Sequence, residues 1–259
     1  MRIVPIPCLS DNYAYLVVCE ETNLAAIVDA SEAAPVEKAV TSADAKLSAI
    51  WSTHHHHDHV GGNEQVIARF GVKDVFAHVS DRGRVPGQTR FLESGESFSM
   101  GSLSIETLHI PGHTLGAIAY IVSAKGSPRA VFTGDTLFLA GCGRLFEGTP
   151  EQMYTSLASL ARLGDDTEVY CGHEYTESNL KFSHHVEPSN AEVTRAAERA
   201  KRLRAEGKPT VPSTMGEEKK TNPFLRAALP ELRASVGVGP GASDIEAFAA
   251  VRHAKDGFR

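Results

Sequence analysis

The sequence predicts a β-rich α/β domain followed by a smaller, mostly helical C-terminal domain. Short apolar, β-branched and aromatic runs alternate with helical stretches over the first two thirds, the layout of helices packed outside sheets. After about Tyr175 the strand signals fade and helical runs replace them. With 259 residues, 42% apolar and 22% charged, the chain is large enough for a sizeable core and an appended smaller domain.

Residues 13–18 and 24–28 read as strands bounded by turn residues. Residues 31–40 read as a helix with Ser31 as its N-cap and Pro35 in its first turn. Ala49-Ile50-Trp51 is a strand that runs directly into a histidine cluster; residues 65–70 then form a short helix and 75–79 the next strand. Two hairpins follow, at 97–110 and 118–133, turning at Met100-Gly101-Ser102 and Lys125-Gly126-Ser127-Pro128. An amphipathic helix covers 150–163, and a strand at 168–171 ends at Gly172-His173. Beyond residue 175, helices are expected at 191–206, 223–228 and 243–255, with a polar loop at 207–222.

A net charge of −6 argues against nucleic acid as a partner, because such binders present a basic face to phosphates. Met1-Arg2-Ile3-Val4-Pro5-Ile6-Pro7-Cys8 lacks the layout of a signal peptide, and no apolar run reaches the roughly 18–20 residues of a membrane span. The cysteines, Cys8, Cys19, Cys142 and Cys171, are scattered without a Cys-x-x-Cys pair, so reduced, buried thiols in the cytoplasm are expected. The chain is expected to act as a monomer.

Thr53-His54-His55-His56-His57-Asp58-His59 carries the chemistry. The run is internal, broken by Asp58, and set between a strand and Val60-Gly61-Gly62, which rules out an expression tag. In extended backbone, residues two apart point the same way, so His54 and His56 can grip one ion while His55 and His57 face away. Where the chain turns into the next helix, Asp58 and His59 can point to a second ion. Three later residues at strand ends supply what a two-metal site still lacks: His113, Asp135, whose two oxygens could bridge both ions, and His173. Imidazole and carboxylate suit zinc, and iron and manganese accept similar ligands. Asp29, in Ile27-Val28-Asp29-Ala30, either orients a ligand histidine or closes a strand-end turn.

His54-x-His56-x-Asp58-His59 with His113, Asp135 and His173 resembles the metallo-β-lactamase superfamily, whose fold is an αββα sandwich with metals at one edge. Over the whole chain the resemblance is to the glyoxalase II (hydroxyacylglutathione hydrolase) family. It is carried by Ser10-Asp11-Asn12-Tyr13, Gly141-Cys142-Gly143-Arg144, Gly172-His173-Glu174-Tyr175-Thr176, Asn179-Leu180-Lys181-Phe182, His185-Val186-Glu187-Pro188, Asn222-Pro223-Phe224-Leu225-Arg226 and Arg252-x-x-Lys255-Asp256. The resemblance implies a catalytic domain at 1–174 and an α-helical, glutathione-binding domain at 175–259. It implies that His54, His56 and His113 hold one metal, Asp58, His59 and His173 the other, and that Asp135 bridges them.

The implied reaction is hydrolysis of S-(2-hydroxyacyl)glutathione, chiefly S-D-lactoylglutathione, as in methylglyoxal detoxification. Asp58 and Asp135 would serve catalysis by holding a metal-bridging hydroxide; a metal lowers the pKa of its water to about 7. A thiolate leaves easily, so no general acid is required. Arg144, Phe146, Tyr175, Arg252 and Lys255 match the family's substrate-binding positions, with cations suited to glutathione's carboxylates. Two of these depart from the family: Arg144 stands where lysine is common and Phe146 where tyrosine is common, so a hydroxyl contact is missing and a raised KM is expected. The rivals are a persulfide dioxygenase using one iron, a nuclease of the same superfamily, and a non-catalytic metal-binding or sensor protein. The seven ligands, Arg252 and Lys255, and the acidic balance favour the thioester hydrolase.

Overall fold

The computed structural model describes residues 1–258. The chain folds as two compact units. The first comprises Met1–His109, Gly116–Gly134 and Tyr170–Glu174; the second comprises Ile110–Leu115, Asp135–Val169 and the residues from Tyr175 onward.

In the first unit, β1 (Arg2–Cys8), β2 (Asn12–Val18), β3 (Leu24–Val28), β4 (Lys46–Trp51), β5 (Asp74–His78) and β6 (Arg90–Leu92) form one sheet in that order. The pairs β1–β2 and β2–β3 are antiparallel, while β3 through β6 run parallel. Parallel neighbours need crossover connections. Here these are α1 (Ala33–Ser42) between β3 and β4, and α2 (His57–Val60) with α3 (Asn63–Phe70) between β4 and β5.

Side-chain alternation sorts this sheet into two faces. Ala14, Leu16 and Val18 of β2, Ala25 and Ile27 of β3, Ile50 of β4 and Val75 and Ala77 of β5 join Val36 and Val40 of α1 and Val66 of α3 in one buried cluster. The other face carries aromatic rings toward a second sheet. That sheet contains β7 (Ser97–Met100), β8 (Leu103–His109), β9 (Ile118–Ser123) and β10 (Ala130–Gly134), with β13 (Glu168–Cys171) beside β10. Trp51 stacks on Tyr120 at 5.7 Å and meets Phe98 edge-on at 5.8 Å, and Tyr15 lies 5.3 Å from both Phe132 and Tyr170. A layer buried on both sides explains why β2 reads as an unbroken apolar run.

The second unit contains the β11 (Leu137–Phe138) and β12 (Gly141–Cys142) hairpin and α4 (Pro150–Leu160). It continues with α5 (Thr176–Val186), α6 (Ala191–Ala205), β14 (Ser213–Thr214), α7 (Met215–Thr221), α8 (Pro230–Ser235) and α9 (Asp244–Gly257). Capping boxes at Thr149/Gln152 and Ser243/Glu246 start α4 and α9. Leu180 of α5 packs with Val193, Ala196 and Ala200 of α6, and Phe224 lies 6.0–6.2 Å from Phe182 and Phe248.

Several elements differ from the sequence expectation. Helix α1 starts two residues later than expected, with Glu32 rather than Ser31 at its N-cap; the Ser31 hydroxyl instead donates to the Asp29 carbonyl. Helix α5 carries no clear apolar stripe, because Thr176, Asn179 and Ser183 fill much of its buried face. The expected loop 207–222 contains α7, capped by Thr214. The expected helix at 223–228 is a run of turns, because the Asn222 side chain accepts from the Phe224 N–H and diverts the backbone. Among the described residues no helix is long and apolar enough to cross a membrane.

Candidate metal centre

The proposed metal ligands sit in the segments that follow strand ends, Asp58 and His59 within the short α2 helix beyond β4. In the first unit, β4 delivers Ser52 and Thr53, both buried, into the histidine segment. Beside it, β3 is followed by Asp29, whose φ of +52° is a left-handed conformation that aspartate tolerates better than most residues. Asp29 Oδ1 accepts from the Thr53 backbone N–H at 2.7 Å, and Oδ2 accepts from the Thr53 hydroxyl at 2.7 Å and from His59 Nδ1 at 2.9 Å. With its proton committed to Asp29, the Thr53 oxygen accepts from His54 Nδ1 at 3.1 Å. Both imidazoles therefore carry their proton on Nδ1 and present Nε2 as a lone pair.

The same device recurs at His173. Its Nδ1 donates to Asp11 Oδ1 at 2.8 Å, and its Nε2 lies 3.4 Å from Asp58 Oδ2. His59 Nε2 stands 3.7 Å from that oxygen, so Asp58, His59 and His173 bring three ligand atoms within 4.8 Å of one another. Asn12 Nδ2 fixes the carboxylate by donating to Asp58 Oδ2 at 3.0 Å and to the Asp58 carbonyl at 3.1 Å. The His56 ring lies 4.8 Å from that of His54. His55 turns the other way, its Nδ1 3.1 Å from the buried Asp81 and its Nε2 against Arg84, and His57 is exposed.

In the second unit, Gly112 (φ +153°) sits so close to Met153 that an added Cβ would lie 2.8 Å from its Cβ, which is why a glycine precedes His113. His113 Nδ1 donates to the Arg144 carbonyl at 2.9 Å, and its Nε2 lies 3.5 Å from Asp135 Oδ2. Gly143 rests on Asp135, where a Cβ would fall 1.9 Å from the Asp135 carbonyl oxygen. Phe146, 63% exposed, points its ring at that of His113 across 5.2 Å, and Tyr175 meets Phe138 edge-on at 5.4 Å.

Three cations gather in this unit. Arg252 is buried, donates to the Cys142 carbonyl at 2.8 Å and to Asp256 at 3.0 Å, and lies over the Phe224 ring. Lys255 donates to the Ser178 carbonyl at 3.2 Å between the Phe182 and Phe258 rings. Exposed Arg144 approaches Asp256 at 4.0 Å. Burial, and then the positive charges of Arg252 and Arg144, push the Lys255 ammonium down to about 8.

Residues 10–173 match the model of the metallo-beta-lactamase superfamily, and residues 174–258 match that of the hydroxyacylglutathione hydrolase C-terminus. The chain belongs to the hydroxyacylglutathione hydrolase family. It is 48% identical over 258 residues to the hydroxyacylglutathione hydrolase of Synechococcus sp. (strain JA-3-3Ab), covering 100% of both chains. It is 46% identical to that of Methylococcus capsulatus (strain ATCC 33009 / NCIMB 11132 / Bath), covering 100% of this chain and 99% of that one. Among solved structures, ETHE1 from Myxococcus xanthus aligns with a TM-score of 0.66 at 24% identity over 98% of both chains, a likeness of fold alone. The architecture is the metallo-β-lactamase fold with the family's helical C-terminal region.

The donor set of this hydroxyacylglutathione hydrolase family member fits divalent metal ions. His54, His59, His113 and His173 each have Nδ1 held by an oxygen acceptor, and a carboxylate stands within 4 Å of Nε2 in the last three. Such outer hydrogen bonds fix the tautomer and raise the basicity of a ligating histidine. Sequence reasoning assigned no role to Asp11 or Asn12, although both stood in a motif it had singled out, and no sequence signal marked Asp81.

Proposed function

We propose that the chain hydrolyses S-(2-hydroxyacyl)glutathione, chiefly S-D-lactoylglutathione, to the 2-hydroxy acid and glutathione. The observation that carries this reading is near-half identity to hydroxyacylglutathione hydrolases over the full length, including residues 174–258. Residues 1–174 are the catalytic domain of this reading and 175–259 the glutathione-binding domain.

In this assignment His54, His56 and His113 would hold one divalent ion, Asp58, His59 and His173 would hold a second, and Asp135 would serve both. Zinc is the metal proposed first, with iron or manganese as alternatives. When bound, the two ions supply Lewis acidity, enough to make water nucleophilic near neutral pH and to polarise a thioester carbonyl. The chain's own contribution is orientation: Asp29, Thr53 and Asp11 hold protons on the Nδ1 atoms of His59, His54 and His173. Asp58 and Asp135 are the catalytic carboxylates of the assignment. Arg144, Arg252 and Lys255 attract glutathione's carboxylates, Tyr175 and Phe146 pack against the substrate, and the thiolate departs without a dedicated acid.

The reading places the protein in the cytoplasm as a monomer acting on a small molecule in methylglyoxal degradation, without nucleic acid or membrane partners. Parallel assays with S-D-lactoylglutathione and glutathione persulfide test it. Release of glutathione and D-lactate from the thioester is expected; oxygen consumption with the persulfide and no thioester cleavage would overturn it.

A further inference from the structure

The β11–β12 hairpin is a buried turn whose backbone is gripped by side chains of the helical region. Its register, Leu137 with Cys142 and Phe138 with Gly141, leaves Leu139 and Ala140 as a two-residue turn. Ala140 takes φ +54°, unfavourable for a residue with a Cβ. All six residues, 137–142, are buried, so water cannot satisfy the turn. Asn222 Nδ2 donates to the Phe138 and Gly141 carbonyls at 3.1 and 3.0 Å, and Asn179 Nδ2 donates to the Leu139 carbonyl at 3.0 Å. The Ala140 backbone N–H donates to Glu218 Oε2 at 2.8 Å.

Glu218 is 1% exposed and bears no salt bridge among the described residues. Its Oε1 accepts from the Ser213 hydroxyl at 2.7 Å, and its Oε2 accepts from Asn222 Nδ2 at 3.1 Å as well as from Ala140. It thus holds the turn directly and also steadies the amide that grips two of the turn's carbonyls. The hairpin in turn joins Asp135 to Arg144 along the chain, and its Cys142 carbonyl is one of two acceptors, with Asp256, that hold Arg252.

We infer that Glu218 is a positioning residue for substrate binding, clamping the 137–142 hairpin so that Arg144 and Arg252 are set to receive the substrate's carboxylates. The inference rests on the reading of those arginines as substrate contacts. A carboxylate suits the task because a charged acceptor makes hydrogen bonds roughly twice as strong as a neutral one. Burial pushes the Glu218 carboxyl up to about 7; the neighbouring charge of Glu217 acts the same way, against the pull of the bonds from Ser213, Ala140 and Asn222. The other side chains facing it, Ser213 and Asn222, do not titrate. Below about pH 7 Glu218 takes up a proton, the charged acceptor is lost and the clamp loosens.

The test uses the metal-loaded full chain with Glu218→Ala and Glu218→Gln. Glutamine retains an oxygen for Ala140 and Asn222, while its amide donates to the Ser213 oxygen and the Ser213 proton turns to the Thr214 carbonyl, 3.4 Å away. In Glu218→Ala, amide exchange across 137–142 should accelerate about tenfold or more without substrate, and KM should rise about tenfold with kcat within about twofold. Glu218→Gln should restore both to within about threefold and abolish the rise in KM that the wild type shows as pH falls through 7. Unchanged exchange in Glu218→Ala, a fall in kcat at constant KM, or the wild-type pH response surviving in Glu218→Gln would each overturn the inference. A wild type with a protected hairpin but no thioester cleavage would refute the functional reading instead, and leave the clamp supported.

Discussion

Replacing Asp29 by asparagine changes one oxygen to an NH2 group at a position where three donors converge. Asparagine tolerates the φ of +52°, so the backbone need not move. The new carbonyl still accepts from the Thr53 N–H, and the new NH2 can donate to the Thr53 oxygen. At His59 Nδ1, 2.9 Å from Oδ2, donor then faces donor. The imidazole must give up that bond or shift its proton to Nε2, which removes the lone pair from the side where Asp58 and His173 stand. Loss of such an outer partner costs roughly 10–100-fold in metal affinity, equivalent to about 1.4–2.8 kcal/mol. Asp29→Ala should do more harm to folding, because Thr53 and His59 are left with buried donors at about 1–3 kcal/mol each. Chelator-competition titration of zinc on the purified variants, with thermal unfolding in parallel, reads both effects. Wild-type metal affinity in Asp29→Asn would refute the claim that Asp29 sets the tautomer of His59.

Three further outcomes are expected. Phe146→Tyr adds a hydroxyl to a ring that is 63% exposed and beside His113; one new hydrogen bond worth about 1 kcal/mol should lower KM for S-D-lactoylglutathione about fivefold, and an unchanged KM would remove the argument. Lys255, held at about 8 by burial and by Arg252 and Arg144, should lose its charge above that pH, so KM should climb between pH 8 and 9.5. Lys255→Arg, which keeps its charge, should flatten that climb, and a wild-type KM flat over the same range would contradict the assignment. His78, stacked on His109 at 4.0 Å, is pushed down to about 4 by burial and by His109. Between pH 6.5 and 4 the unfolded chain takes up a proton that the folded chain refuses, so stability should fall as pH drops through that window. Urea unfolding of His78→Asn should show a shallower acid-side loss than the wild type, and equal slopes would exclude His78 as the cause.

The first-unit strands were readable because their alternation, or their unbroken apolar runs, report two buried faces directly. Edge strands β1 and β6 escaped notice: β1 contains Pro5 and Pro7, and β6 is only three residues long. Helix α5 escaped because polar side chains occupy its buried face, where they serve the β11–β12 hairpin rather than a hydrophobic stripe. At the site, the histidine cluster announced metal chemistry by residue type and spacing alone. What surrounds it did not. Asp11 reaches His173 across 162 positions and Asn12 reaches Asp58 across 46, long-range pairings that no local pattern encodes. Glu218 likewise sits in a polar stretch that reads as a loop, and its burial follows only from the packing around the hairpin.

The account depends most on metal-dependent cleavage of a glutathione thioester. The most direct measurement is hydrolysis of S-D-lactoylglutathione by one sample, taken through metal removal and reconstitution with metal content determined at each stage. Activity should vanish with the metal and return as about two ions per chain are restored, whereas full activity in metal-free protein would contradict the mechanism outright.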